Sequence, residues 1–177
     1  MRKLTYQEIL SERPTEDELK RLPKNEIIVI LHNIRSSYNV GSIFRTSDSA
    51  RVSELLLCGF TPHPPRKDLE KTALGALDTV KWQYFESTKE AINYAKSKKF
   101  KVVAVELTDT KRMYYDIQKS EFPIAIVLGN ELTGIDDEII SLCDDAIEIP
   151  MFGIKHSLNV SVATGIVLYE LCKINNL

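Results

Sequence analysis

Ile124-Ala125-Ile126-Val127-Leu128 runs straight into Gly129-Asn130-Glu131-Leu132-Thr133-Gly134, and that change from unbroken apolar residues to small and polar ones decides the fold. A strand with one wet face alternates apolar and polar side chains, whereas a strand buried on both faces can be apolar throughout. Comparable β-rich runs occupy Ile27 to His32, Glu54 to Cys58, Val80 to Phe85, Lys101 to Leu107 and Ala146 to Ile149. Between them, Val40 to Ala50, Asp68 to Leu74, Thr88 to Ser97, Asp136 to Cys143 and Leu158 to Ile174 carry helical spacing. This alternation predicts an α/β fold, a mostly parallel sheet covered by helices on both faces.

A chain of 177 residues fits one domain, and its 44% hydrophobic fraction suffices for one well-buried core, which excludes disorder. Charges of both signs are interspersed and sum to −2, so no global basic field announces a nucleic acid, and any such contact must come from a local patch. Cys58, Cys143 and Cys172 have neither paired nor metal-ligand spacing, and His32, His63 and His156 show no ligand pattern. Reduced thiols in a cytoplasmic protein without a metal are expected. No signal-like leader is seen, nor any apolar run near the roughly 20 residues of a membrane span, which predicts a soluble protein without membrane attachment.

The first twenty-five residues are polar and charged, with Pro14 and Pro23 bounding a stretch in which Thr15 and Glu18 have capping-box spacing. Residues 1–25 therefore read as a short helical arm attached to a domain spanning 26–177. The prolines of Thr61-Pro62-His63-Pro64-Pro65-Arg66-Lys67 lack amide donors, so this segment is expected to be a loop.

Ligands of open α/β sheets sit beyond the carboxyl ends of the strands. Neither GxGxxG nor GxxxxGK[ST] occurs here. Leu128, Gly129, Ile149, Met151, Ser157 and Leu158 instead fall at or just after strand ends, with Val105 near the end of its own strand. Their amides and carbonyls can hold an adenine edge, and Gly129 permits close approach. Taken singly, Gly129 and Gly134 read as turn glycines and Ser157 as the N-cap of the last helix. Arg45 reads as a solvated residue on a helix whose apolar face is Val40, Ile43, Phe44 and Ala50 and whose N-cap is Asn39. Asn159 resists such a reading. It is a poor helix former in the first turn of an otherwise apolar helix, a place better explained by a ligand or a partner side chain.

Three stretches occur in order at domain-scale spacing: Asn39-Val40-Gly41-Ser42-Ile43-Phe44-Arg45-Thr46, Leu128 to Gly134, and Ile149-Pro150-Met151-Phe152-Gly153-Ile154-Lys155-His156-Ser157-Leu158-Asn159-Val160-Ser161. Together they resemble the motifs of the SpoU (TrmH-like) branch of the SPOUT class of RNA 2′-O-ribose methyltransferases, from about Ile27 to Leu171. The resemblance implies a C-terminal deep trefoil knot whose crossing loops bind S-adenosylmethionine (AdoMet). It also implies methyl transfer to a ribose 2′-hydroxyl of tRNA or rRNA, tRNA ahead of rRNA. The positions matching the family's site are Asn39 and Arg45 in the first motif, Glu131 in the second, and Ser157 and Asn159 in the third. Ser49-Ala50-Arg51 departs from a pattern that usually ends in glycine, and Lys155-His156 before Ser157 is a second departure.

Such a transfer needs the acceptor oxygen held in line with the methyl carbon and relieved of its proton, so positioning should supply much of the rate. The family's proposal that the motif-one arginine assists proton removal maps to Arg45. A guanidinium is normally locked in its charged form, and the alternative is that Arg45 clamps the adjacent phosphate bidentately and steadies the developing oxyanion. Glu131 would then pair with Arg45 or Asn159, while Asn39, Ser157 and Asn159 orient ribose and arginine. Arg35, Arg51, Arg66, Lys67, Lys71 and Arg112 are scattered near the motif loops as possible RNA contacts, and Tyr38 or Tyr114 could stack on a splayed base. A catalytically silent RNA-binding or assembly protein of the same fold is the rival reading. An unrelated nucleotide-binding protein is disfavoured by the missing phosphate loop. The last helix carries a stripe of Leu158, Val162, Ile166 and Tyr169, widened by Ala163, Val167 and Leu171. That width suits either a deep core helix or a homodimer interface. The resemblance implies the homodimer, with Asn39 and Arg45 brought toward the cofactor loops of the other subunit.

Overall fold

The computed structural model describes residues 1–176, apart from the side chains of Glu16 and Lys20. Strand β1 (Asn25–His32) lies in the middle of a six-stranded, wholly parallel sheet. On one side of it are β2 (Val52–Cys58) and β3 (Trp82–Phe85), and on the other β5 (Ile124–Leu128), β4 (Lys101–Val105) and β6 (Asp145–Ile147), in the order β3-β2-β1-β5-β4-β6.

Successive side chains of a strand point to opposite faces, and here neither face is wet. Ile27, Val29 and Leu31 join Val40 and Phe44 of α3 (Ser37–Ser49), Leu69 of α4 (Lys67–Ala73) and Val167 and Leu168 of α8 (Val160–Asn176). Ile28 and Ile30 join Ala91 and Ile92 of α6 (Thr88–Ser97) and Ile139 of α7 (Asp137–Leu142). Each Val, Leu, Ile or Phe side chain so taken from water contributes about 1.5–3 kcal/mol, which is why the strands dispense with alternation. Gly41 lets α3 approach α4, because a Cβ there would collide with Thr72 Oγ1 and come within 3.2 Å of the Ala73 amide.

Several strand ends fall short of expectation. Val80 belongs to the cap of the short α5 (Ala76–Thr79), its amide donating to Ala76 O, so β3 starts only at Trp82. The chain leaves β4 at Glu106, whose side chain accepts from the Leu107 amide at 3.0 Å and turns the backbone away. The crossover from β4 to β5 has two 3-10 turns, Tyr114–Asp116 and Lys119–Glu121, and no α-helix. The proline-rich segment is a loop that ends where α4 begins at Lys67.

Two helix starts differ from the sequence reading. Ser36, not Asn39, caps α3, its Oγ accepting from the Asn39 amide at 3.3 Å. Asn39 is thereby placed inside the first turn with its side chain free for other work. Helix α8 starts at Val160, and Asn159 closes its end: Oδ1 accepts from the Ser161 amide at 2.9 Å, and the Val162 and Ala163 amides donate to Asn159 O. Ser157 lies outside the helix and is not its cap.

Before the sheet, the box of Thr15 and Glu18 opens α2 (Glu16–Arg21). A second box, Thr5 with Glu8, opens α1 (Tyr6–Ser11), a helix not expected from the sequence and one that buries none of its residues. Arg51, the residue standing where the family pattern usually has glycine, adopts a left-handed φ of 51°. Its Nη2 donates to Leu19 O at 3.0 Å and Leu22 O at 2.9 Å, joining the end of α2 to the turn before β2. The three cysteines are free, and no helix among the described residues is long and apolar enough to cross a membrane.

Candidate active site

Because β1 pairs with β5, with Leu31 beside Leu128, the loops leaving their carboxyl ends emerge side by side. Glu131 in the second loop reaches across to the first. Its carboxylate accepts from the amides of Arg35 at 2.8 Å and Ser36 at 3.1 Å and from Asn39 Nδ2 at 2.8 Å. Asn39 Oδ1 in turn accepts from Asn159 Nδ2 at 3.1 Å. Glu131, Asn39 and Asn159 thus form one hydrogen-bonded line joining all three motifs within a single chain. Buried Asn130 supports it from behind: Nδ2 donates to Asn33 O at 2.7 Å, and Oδ1 accepts from the Leu132 amide at 2.8 Å.

Beside this line a cavity of about 690 Å³ opens beyond the carboxyl ends of β4, β5 and β6. Val105, Leu128, Gly129, Ile149, Met151, Ser157 and Leu158 all line it, and so do Glu131 and Asn159. Asn39 stands behind those two without lining the cavity itself. Arg45 is set apart, exposed on α3 and outside the lining. The expected pairing of Glu131 with Arg45 or Asn159 is replaced by one with Asn39 and two amides, since the β1–β5 register brings the first turn of α3, not its middle, to Glu131. Within the protomer Asn39 is bonded to its own chain's Glu131 and Asn159.

Gly129 is accounted for by the loop itself, as a turn glycine. A Cβ there would come within 2.7 Å of both Gly134 O and the Ile135 amide. The glycine is needed for backbone to pass backbone where Asn130 and Gly134 close the loop on each other, N to O at 3.0 and 2.9 Å.

Sequence reasoning gave no site role to Glu106, Asp137 or Glu148 and marked His156 only as part of the Lys155-His156 departure from the family pattern, yet all four line the cavity. The available signal was position, for Glu106 and Glu148 each directly follow the last residue of a strand. Glu106 Oε2 accepts from the Ile135 amide at 3.1 Å, tying the loop after β5 to the end of β4.

The lining suits a cationic nucleoside-like ligand. Glu106, Glu131, Asp137 and Glu148 supply negative charge with no lysine or arginine among the lining residues, while Leu107, Leu128, Ile149, Met151 and Leu158 offer apolar walls. Burial alone would raise the Glu131 carboxyl, but donation by the Arg35 amide, the Asn39 side chain and the Ser36 amide outweighs it and holds the group below its usual range. The stability this linkage contributes is fully present above the carboxyl's ordinary value of 4.5 and is lost as pH falls through the depressed folded value. Glu131→Gln leaves one of these donors facing an amide nitrogen, at a cost of about 1–3 kcal/mol. Thermal melts should therefore place the variant below the wild type at pH 7 and bring the two together under acid. A gap that widens on acidification would refute the assignment.

The family model for the SpoU rRNA methylase family matches residues 26–169. The chain is 32% identical over 164 residues to the tRNA (guanosine(18)-2′-O)-methyltransferase of Aquifex aeolicus (strain VF5), covering 88% of this chain and 75% of that protein. Its structure is similar to that of the A. aeolicus TrmH/SpoU tRNA modifying enzyme, with a TM-score of 0.79 at 31% identity over 91% of this chain and 84% of the other. It is also similar to an AdoMet-bound rRNA methyltransferase from Sinorhizobium meliloti, with a TM-score of 0.79 at 28% identity over 85% of this chain but 57% of that one. With its three motifs joined at one cavity and this match across most of its length, the chain belongs to the SpoU rRNA methylase family.

Proposed function

We propose that this SpoU family member transfers a methyl group from AdoMet to a ribose 2′-hydroxyl of tRNA. The observation that carries the reading is the hydrogen-bonded line of Glu131, Asn39 and Asn159 standing beside a cavity rich in carboxylates and free of lysine and arginine. AdoMet supplies an electrophilic methyl on a cationic sulfur. Leu128, Ile149, Met151 and Leu158 would hold its adenine, with Val105 and Gly129 completing the wall. Ser157 and Asn159 would orient the acceptor ribose, Asn159 being held through Asn39 by Glu131. Arg45, exposed and outside the cavity, suits a clamp on RNA phosphate, since a guanidinium matches two phosphate oxygens at once.

Likeness to the A. aeolicus tRNA enzyme over most of both chains favours tRNA, while the S. meliloti protein supports rRNA as a second reading. Calorimetry with AdoMet, then methyl transfer to fractionated tRNA and rRNA with mapping of the modified nucleotide, tests both. Label confined to rRNA would select the second reading, and failure to bind AdoMet would remove both.

Residues 1–25 would serve as an arm on a catalytic domain of 26–177, and the last third of the chain would form the family's trefoil knot. The working unit would be a homodimer paired through α8. Leu158, Val162 and Tyr169 remain exposed in the protomer, Val162 by 50% and Tyr169 by 57%, whereas Val167, Leu168 and Leu171 are buried in its core. An apolar face left uncovered in this way suits a second copy across a two-fold axis. Light scattering should give a mass near twice 20.1 kDa. Mixed Arg45→Ala and Asn159→Ala subunits should regain some activity if Arg45 serves its partner's cavity. A fully active monomer would refute the dimer, and a dimer without complementation would refute the shared site.

A further inference from the structure

We propose that Phe60 is a stacking platform for an unpaired base of the RNA substrate, one that flanks the methylated nucleotide, an inference that rests on the reading above. With a formal charge of −2 and no lysine or arginine among the residues lining the cavity, the protein has little general attraction for RNA at its site. Stacking of a base on an aromatic ring supplies affinity that does not depend on charge, and it holds the strand in register. Such a ring has to be open to solvent and fixed in place. Single exposed aromatic residues are common on protein surfaces, so exposure by itself decides nothing.

Phe60 is set apart by the loop that carries it. The residue is 61% exposed, whereas its neighbours on both sides are anchored. Gly59 before it has a left-handed φ of 62°, and a Cβ there would collide with Asn33 Oδ1. Thr61 after it is buried, its Oγ1 donating to Cys58 O at 2.7 Å and accepting from the Ile34 amide at 3.0 Å. Pro62 is buried as well. The Phe60 amide itself donates to Asn33 Oδ1 at 3.3 Å, and Asn33 O accepts from Asn130 Nδ2 at 2.7 Å, one residue before Glu131. The ring is therefore presented from the same frame that holds the line of Glu131, Asn39 and Asn159. Tyr84 adds a second ring at this edge: it is 41% exposed, its hydroxyl donates to Gly59 O at 2.9 Å, and its ring centroid lies 4.3 Å from that of His63. Arg35, two residues beyond Asn33, is exposed, and its guanidinium has no partner among the described residues, which leaves it free for a phosphate of the same strand. A ring meant for packing would turn inward, as Phe44 does on α3.

The test compares Phe60→Ala and Phe60→Trp with the wild type in the full chain. Phe60→Ala should raise the KM for the RNA that the wild type methylates by about tenfold or more, while AdoMet affinity by calorimetry and the melting temperature stay the same. Phe60→Trp should keep the wild-type KM, because an indole offers a stacking face at least as large. Synthetic copies of that RNA, each with one abasic site beside the methylated nucleotide, then locate the base. One of them should bind the wild type about tenfold more weakly than the intact RNA and bind Phe60→Ala no more weakly than the intact RNA does. An abasic penalty equal in both proteins would make Phe60 a loop-shaping residue and overturn the proposal. So would an unchanged KM in Phe60→Ala, with the wild type active and the underlying reading intact. A lower mass for Phe60→Ala by light scattering would show that a second copy covers the ring, and would overturn it too. Wild-type protein without methyl transfer to any RNA would overturn the underlying reading and this inference with it.

Discussion

Arg45→Ala should abolish methyl transfer, a loss on the order of 10³-fold, while AdoMet binds with nearly unchanged affinity. The separation follows from placement: the side chain lies exposed on α3 and does not line the cavity, so its removal leaves every lining group in place. Arg45→Lys should fail almost as badly, because an ammonium is a point charge and cannot reproduce a planar two-pronged contact with phosphate. Calorimetry with AdoMet and single-turnover methyl transfer on tRNA separate the two effects. Equal loss of cofactor binding would make Arg45 a structural residue and remove it from the reaction.

Gly129→Val should strike the other half of the site. The first atom of any side chain there meets the Gly134 carbonyl and the Ile135 amide, so the loop after β5 has to open. Opening it strains the mutual hydrogen bonds of Asn130 and Gly134 and the link from Ile135 to Glu106, and these hold one wall of the cavity. AdoMet affinity should fall by well over tenfold, with stability lower by about 1–3 kcal/mol as in other overpacked sites. Even Gly129→Ala should lose part of the affinity, since the collision begins at Cβ. Wild-type affinity in the valine variant would place the cofactor elsewhere.

How much of this could be read from the residues differs between fold and site. The runs at Ile27 to His32 and Ile124 to Leu128 announce strands buried on both faces, and the sheet bears them out. Helix starts are harder. The sequence reading puts the cap of α3 at Asn39, whereas the turn geometry selects Ser36 and leaves the Asn39 side chain free. The same holds at α8, where Asn159 is at once the cap and a donor to Asn39. What no local pattern contains is strand order. That β5 inserts between β1 and β4 is a property of the whole sheet, and it alone brings Glu131 to Arg35, Ser36 and Asn39.

Arg51 sets a limit on how this protein can change by single substitutions. Its backbone bears the strain of a glycine-like conformation, on the order of 1–3 kcal/mol, while its guanidinium holds the end of α2 by backbone carbonyls. Glycine at this position would relax the turn and release the first two helices in the same step. Lysine would keep the strain and give up the planar fork. The turn and the tail therefore cannot drift independently.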